Sequence, residues 1–95
     1  MDLFFKLLVE FIGTFVFLSV IITYGEGIPI GLTLAALIYW GGKISGGNFN
    51  PAVSIMMFLN KKMDIVTTSL YILVQIIAIF CALSYYKFAI KKIKK

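Results

Sequence analysis

The sequence predicts an all-α membrane protein, with three transmembrane helices plus one re-entrant half-helix, and three observations carry that expectation. Hydrophobic residues make up 61% of the 95-residue chain and charged residues only 14%, with a mean hydropathy of +1.01. So short a chain has no water-soluble core able to take up that much apolar surface. The apolar residues gather in long runs of bilayer-crossing length. Between two of those runs stands an interruption, Gly41-Gly42-Lys43-Ile44-Ser45-Gly46-Gly47-Asn48-Phe49-Asn50-Pro51, rich in glycine and amides. Lipid offers no water to bare backbone, so such a segment survives at membrane depth only inside protein or along a wet cavity.

The first span covers about residues 3–24. It is too long for the apolar part of a secretory leader, and no small-residue cleavage site follows it. Glu10 lies within it, where a charge costs about 2.5–3.5 kcal/mol in lipid. Two roles suit that carboxylate: snorkelling to an interface, or, the favoured one, accepting backbone N–H groups of the glycine-rich loop. A tight Gly25-Glu26-Gly27 connection leads to the second span, about residues 28–42. Gly27, Gly31 and Ala35 recur every four residues and predict a face for close helix packing, to which Gly13 of the first span adds. Tyr24, Tyr39, Trp40, Tyr85 and Tyr86 read as interfacial aromatics.

The loop and half-helix cover about residues 43–60. Asn50 is a strong N-cap, and Pro51 suits the first helical position because its missing N–H was an orphan anyway. The apolar run that follows ends at Asn60-Lys61-Lys62, giving a helix of about 13 Å, roughly half the bilayer's hydrocarbon thickness. Asp64 is placed to cap the third span, about residues 65–86, in which Ala78 and Ala82 offer a close contact and Gln75 needs a polar partner. The tail from Lys87 to Lys95 carries five lysines and no acid, and reads as an interfacial anchor.

The stretch Ser45-Gly46-Gly47-Asn48-Phe49-Asn50-Pro51-Ala52-Val53-Ser54 resembles the first signature loop of the aquaporins and glycerol facilitators, the major intrinsic protein family. Glu10-Phe11-Ile12-Gly13-Thr14 is similar to that family's first-span motif, and Gln75 falls where its third span carries a glutamine. The resemblance covers nearly all of residues 1–95 and implies one domain, a single half-repeat. Ordinary members of the family have two inverted repeats of three spans each. It implies pore roles for Ser45, Gly46, Gly47, Asn48, Asn50, Pro51 and Ala52, and support of the loop by Glu10 and Gln75. Ile30 aligns with a constriction position where water-selective members often carry Phe. Lys43 and Asn48 replace two histidines usual in the family. The selectivity arginine has no counterpart, since Val53 follows Ala52 and the nine basic residues are all lysine.

A passive membrane channel for water or small neutral solutes such as glycerol is the expected function. The half-helix would present free N–H groups, the Asn50 amide and about half a positive charge at one point, and a loop held extended by its glycines would expose carbonyls along the same file. No histidine and a single cysteine, Cys81, leave no catalytic constellation, so no enzyme activity, cofactor or metal is expected. The net charge of +5 sits on lysines that flank apolar spans, which favours lipid head groups over nucleic acid as the partner. The family arrangement would put Lys6, Lys43, Lys61 and Lys62 on one side and Lys87, Lys91, Lys92, Lys94 and Lys95 on the other. That even split predicts insertion in both orientations, and so an antiparallel homo-oligomeric pair; a separate second-half chain is the other way to complete the pore. The competing readings are a non-conducting fragment or modulator of such a channel and a small dual-topology transporter.

Overall fold

The computed structural model describes residues 2–94. Helix α1 spans Leu3–Tyr24, α2 Gly27–Ser45, α3 Pro51–Leu59 and α4 Ile65–Tyr85; the chain continues through a wide π-type turn, Tyr86–Ile90, into a short α5, Lys91–Lys94. Three of the helices are long and apolar enough to cross a membrane, with the last run counted as Ile65–Ile93. The expected all-α architecture, three spans and one half-helix, is the one observed, and it makes the chain an integral multi-pass membrane protein. Lys95 and the Lys94 side chain, both weighed in the lysine balance, lie outside the described residues.

Local chemistry explains most of the boundaries. Asp2 caps α1 by accepting the Phe5 N–H at 3.1 Å, and Asp64 caps α4 by accepting the Thr67 N–H at 2.7 Å. Asn50 caps α3 through the Ala52 N–H at 2.8 Å, with Pro51 as the first helical residue. One helix runs further than the sequence suggested. The second continues to Ser45 instead of ending near residue 42, because nothing before Gly46 compels a stop. Gly46 then turns left-handed, at φ 93°, and its N–H bonds to the Gly42 carbonyl at 2.8 Å. The fourth ends at Tyr85, within a residue of the expectation, and the chain stays helical beyond it through the π-type turn and α5 because no glycine or proline follows and lysines are good helix formers. The 29 residues of Ile65–Ile93 account for the 45 Å long axis of the molecule.

α1 is the central helix and packs against both α2 and α4, while α3 packs on α4. The buried side of α4 reads Thr68, Tyr71, Gln75, Ala78, Ala82, an alternation of three- and four-residue steps that makes one straight stripe. Ala78 and Ala82 do supply the expected close contact, since both are buried. The stripe of Gly27, Gly31 and Ala35 does not pack within the chain. All three are exposed, and a side chain added at Gly27 or Gly31 would meet nothing within 4 Å. The reason is rotational: α2 turns Leu37, Gly41 and Ser45 inward, and the stripe lies off that face. Close approach instead occurs at Gly13, where a Cβ would overlap the Phe49 ring, and at Gly41, where it would meet Val9.

Two predictions follow from these contacts. Gly13→Ala forces the Phe49 ring to move and should cost about 1–3 kcal/mol, whereas Gly31→Ala should leave monomer stability unchanged; thermal unfolding of the detergent-purified chain distinguishes them. Hydrogen bonds from Thr67 hold the Asp64 carboxyl below its ordinary value. A carboxyl with a depressed folded-state value stabilises above its unfolded value and loses that contribution as pH falls through the folded one. Helicity at the start of α4 should therefore decline in acid, and Asp64→Asn, which keeps an acceptor, should remove that decline.

A buried carboxylate that organises the candidate pore loop

Glu10 is 0% exposed, and each of its oxygens accepts two hydrogen bonds. Oε1 takes the Phe49 N–H at 2.8 Å and the Gln75 Nε2–H at 2.9 Å. Oε2 takes the Ser45 hydroxyl at 2.6 Å and the Asn48 N–H at 3.0 Å. An ionised carboxylate offers about four acceptor sites and no donor. All four are filled, by groups from α2, the loop and α4. Of the two roles open to this residue from sequence, the geometry matches the acceptor, because a snorkelling carboxylate would reach water.

A second ring of bonds surrounds the first. Ser54 Oγ, on α3, accepts from Gln75 Nε2 at 2.9 Å and from Asn48 Nδ2 at 3.0 Å. The Tyr71 hydroxyl donates to the Ser45 carbonyl at 2.6 Å, and the Gly47 N–H donates to Ser45 Oγ at 3.1 Å. α1, α2, α3 and α4 thus meet at one polar knot inside an apolar bundle. Thioether contact extends it, with Asn48 Nδ2 lying 3.3 Å from the Met63 sulfur.

The loop itself is coiled, which corrects the expectation of an extended run of carbonyls. Gly46, Gly47 and Phe49 all have positive φ, at 93°, 67° and 55°. Glycine takes that conformation freely, but for Phe49 it costs on the order of 1–2 kcal/mol. Two contacts offset the strain: the N–H bond to Glu10, and a ring only 1% exposed, set against Gly13. Full burial of such a ring stabilises by about 1.5–3 kcal/mol.

The pore-lining residues expected from the sequence fall into two groups. Ser45 and Asn48 are buried and spend their side-chain donors inside the knot. Asn50 and Ala52 are exposed, and Ile30 and Pro51 are half-buried. The tip of α3 is level with the centre of the bundle: Ser54 bonds Gln75, the middle residue of Ile65–Tyr85, and Asn50 lies one turn, about 6 Å, further on. There Asn50 Oδ1 is committed to the Ala52 N–H, so its Nδ2 is the outward donor. Pro51 has no N–H, which leaves that of Val53 as the other donor of the first turn.

Three members of the knot had not stood out in the sequence: Ser54, Tyr71 and Phe49. Tyr71 was recoverable, since it shares the four-residue rhythm of Gln75. Ser54 lies one turn after Asn50 in an otherwise apolar helix, a weaker signal. Nothing local marks Phe49 as a buried anchor; in a chain with nine phenylalanines its burial depends on the partner helix.

A family model described as Major intrinsic protein matches residues 23–95. The chain is similar to Glycerol uptake facilitator protein-like 6 of Lactiplantibacillus plantarum, 42% identical over 86 residues, which take in 81% of this chain and 40% of that protein. Aquaporin Z of Photorhabdus laumondii is 36% identical over 87 residues, 76% of this chain and 38% of that protein. Human Aquaporin-10 is 33% identical over 90 residues, 79% of this chain and 30% of that protein. The chain thus spans less than half the length of these curated relatives. No solved structure matches.

The knot predicts an order of severity. Glu10→Ala leaves several buried donors unpaired, at about 1–3 kcal/mol each, and should abolish the folded loop. Glu10→Gln preserves one oxygen but turns an NH2 towards donors, so it should cost less than alanine and still lower the thermal unfolding midpoint. A glutamine variant as stable as the parent would show that one side of the carboxylate is not used.

Proposed function

Because the chain belongs to the major intrinsic protein family, we propose that it forms a passive membrane channel for water or small neutral solutes such as glycerol, assembled from half-units. The observation that carries this reading is the tip of α3. It is exposed, level with the middle of the bundle, and offers Asn50 Nδ2–H and the Val53 N–H on a helix N-terminus bearing about half a positive charge. A passing water accepts hydrogen bonds there, and a cation meets a barrier. Such a track needs no chemistry on the solute and no cofactor.

One half-helix lines half of the membrane's depth. An inverted second copy, meeting the first tip to tip, supplies the rest, and a second molecule of this chain in the opposite orientation is the occupant we assign. Three features support it: the near-even division of lysines between the two ends, the exposed Asn50 tip, and the open stripe of Gly27, Gly31 and Ala35, where another helix can approach closely. Ile30, half-buried on the same helix, is an aliphatic wall for the wider, less polar constriction implied by the missing arginine. The transporter reading is disfavoured by Glu10, the acid deep in a span. All of its acceptor sites are filled, so a proton would have to displace one of the four donors that hold the loop.

Vesicles containing the purified chain should shrink faster than protein-free vesicles under an osmotic gradient, and Asn50→Ala should remove the gain. With Cys81→Ser as background, cysteines at Ala52 of two chains should cross-link, and C-terminal tags should appear on both membrane faces. Conduction from a single fixed orientation without a partner would refute the antiparallel assembly. Conduction that returns only on adding a separate second-half chain would assign the partner to that chain instead.

A further inference from the structure

Three lysines from three separate segments converge on one cavity of about 470 Å3 at the loop end of the bundle: Lys6 of α1, Lys43 of α2, and Lys62 after α3. None of the three ammonium groups makes a hydrogen bond or an ion pair with another described residue, although Lys6 acts on the Asp64 carboxyl at longer range. One acid lines the same cavity, Asp64, and one of its oxygens is already held by the Thr67 N–H, leaving a formal excess of two positive charges. Three neutral polar side chains of the wall are spent as well. Tyr71 donates to the Ser45 carbonyl, Ser45 to Glu10, and Asn48 to Ser54. The ammonium groups are the charged donors this wall offers a ligand. Apolar side chains, Ile44, Met57 and Met63, make up much of the rest. A cavity with charges of one sign and low-dielectric walls concentrates counter-ions.

We propose that this cavity binds a phosphate-class oxyanion, either free phosphate or the phosphate of a lipid head group. Lysine binds phosphate as a point charge, and a tetrahedral anion has enough oxygens to meet three ammonium groups arriving from different sides. Its seat would tie α1, α2 and the α3–α4 turn together at the end of the bundle opposite Lys87, Lys91 and Lys92. Both sources reach it, because the cavity lies where the spans end. The proposal stands on the cavity and its charges, and holds whether or not the chain conducts.

The test uses the full chain purified in an uncharged detergent. Inorganic phosphate is titrated by calorimetry in one arm, and phosphatidylglycerol is added and counted by native mass spectrometry in the other. The expected result is saturable binding of at least one ligand at one site per chain. Phosphate alone identifies the free anion, phosphatidylglycerol alone the head group, and both are consistent with the site. Each of Lys6→Gln, Lys43→Gln and Lys62→Gln should weaken binding about fivefold or more, the effect of one charge at contact distance in water. Asp64→Asn should tighten it, and Lys91→Gln with Lys92→Gln should leave it unchanged. The proposal is overturned if neither ligand saturates, if the Lys43→Gln, Lys62→Gln double variant binds like the parent, or if the Lys91 and Lys92 changes weaken binding equally. Circular dichroism of each variant checks the fold, which substitutions at the exposed Lys43 and Lys62 and the half-buried Lys6 should not disturb.

Discussion

A carboxylate in the middle of a membrane protein must be surrounded by donors, and Glu10 is surrounded on all four sides. That constraint explains much of the remaining architecture. Two of its donors are backbone N–H groups of residues that no helix or strand satisfies, Asn48 and Phe49. The loop therefore needs the acid as much as the acid needs the loop. The hydroxyl of Ser45 and the amide of Gln75 complete the set, drawing the end of α2 and the centre of α4 to the same point. In water such bonds would exchange with solvent at little net gain, whereas in an apolar bundle the alternative is an unpaired buried group.

The strained loop follows from the same point. Left-handed backbone at Phe49 is unfavourable on its own, yet it aims the N–H at Glu10 and the ring at Gly13. Gly13 and Glu10 are three residues apart on α1, so the polar anchor and the apolar seat lie on one helical face. A loop tied at both its N–H groups and its largest side chain has little freedom left. That rigidity delivers Asn50 and Pro51 to a defined depth and lets α3 start there.

Charge is distributed with a similar economy. The centre of the bundle carries one acid, fully enclosed, and an uncharged donor tip at α3. The free cations stand at the ends, with Lys6, Lys43 and Lys62 around one mouth and Lys87, Lys91 and Lys92 at the opposite end. The donor tip of α3 and the lysine-lined mouth are separate electrostatic features, one near the middle of the bundle and one at its end. Charged groups near water need not be neutralised by protein, which is why the ammonium groups of the described lysines form no ion pair while Glu10 is enclosed by donors.

The sequence alone determined the class, the number of spans and the half-helix. Those depend on composition, on run length, and on Asn50-Pro51, whose effects act over a few residues. It also singled out Glu10, Gln75 and Asn50, because a polar group in an apolar span is conspicuous. It misjudged where α2 stops, since a glycine pair permits helix without saying whether one forms. Only the tertiary structure decided which small residues pack. Gly13 and Gly41 face partners while Gly27 and Gly31 face none, a difference of rotation about the helix axis that spacing cannot record. The structure also turned the side chains of Ser45 and Asn48 inward and buried Phe49. Each of those outcomes depends on donors and surfaces brought from tens of residues away, and no local pattern encodes which of several similar residues will meet them.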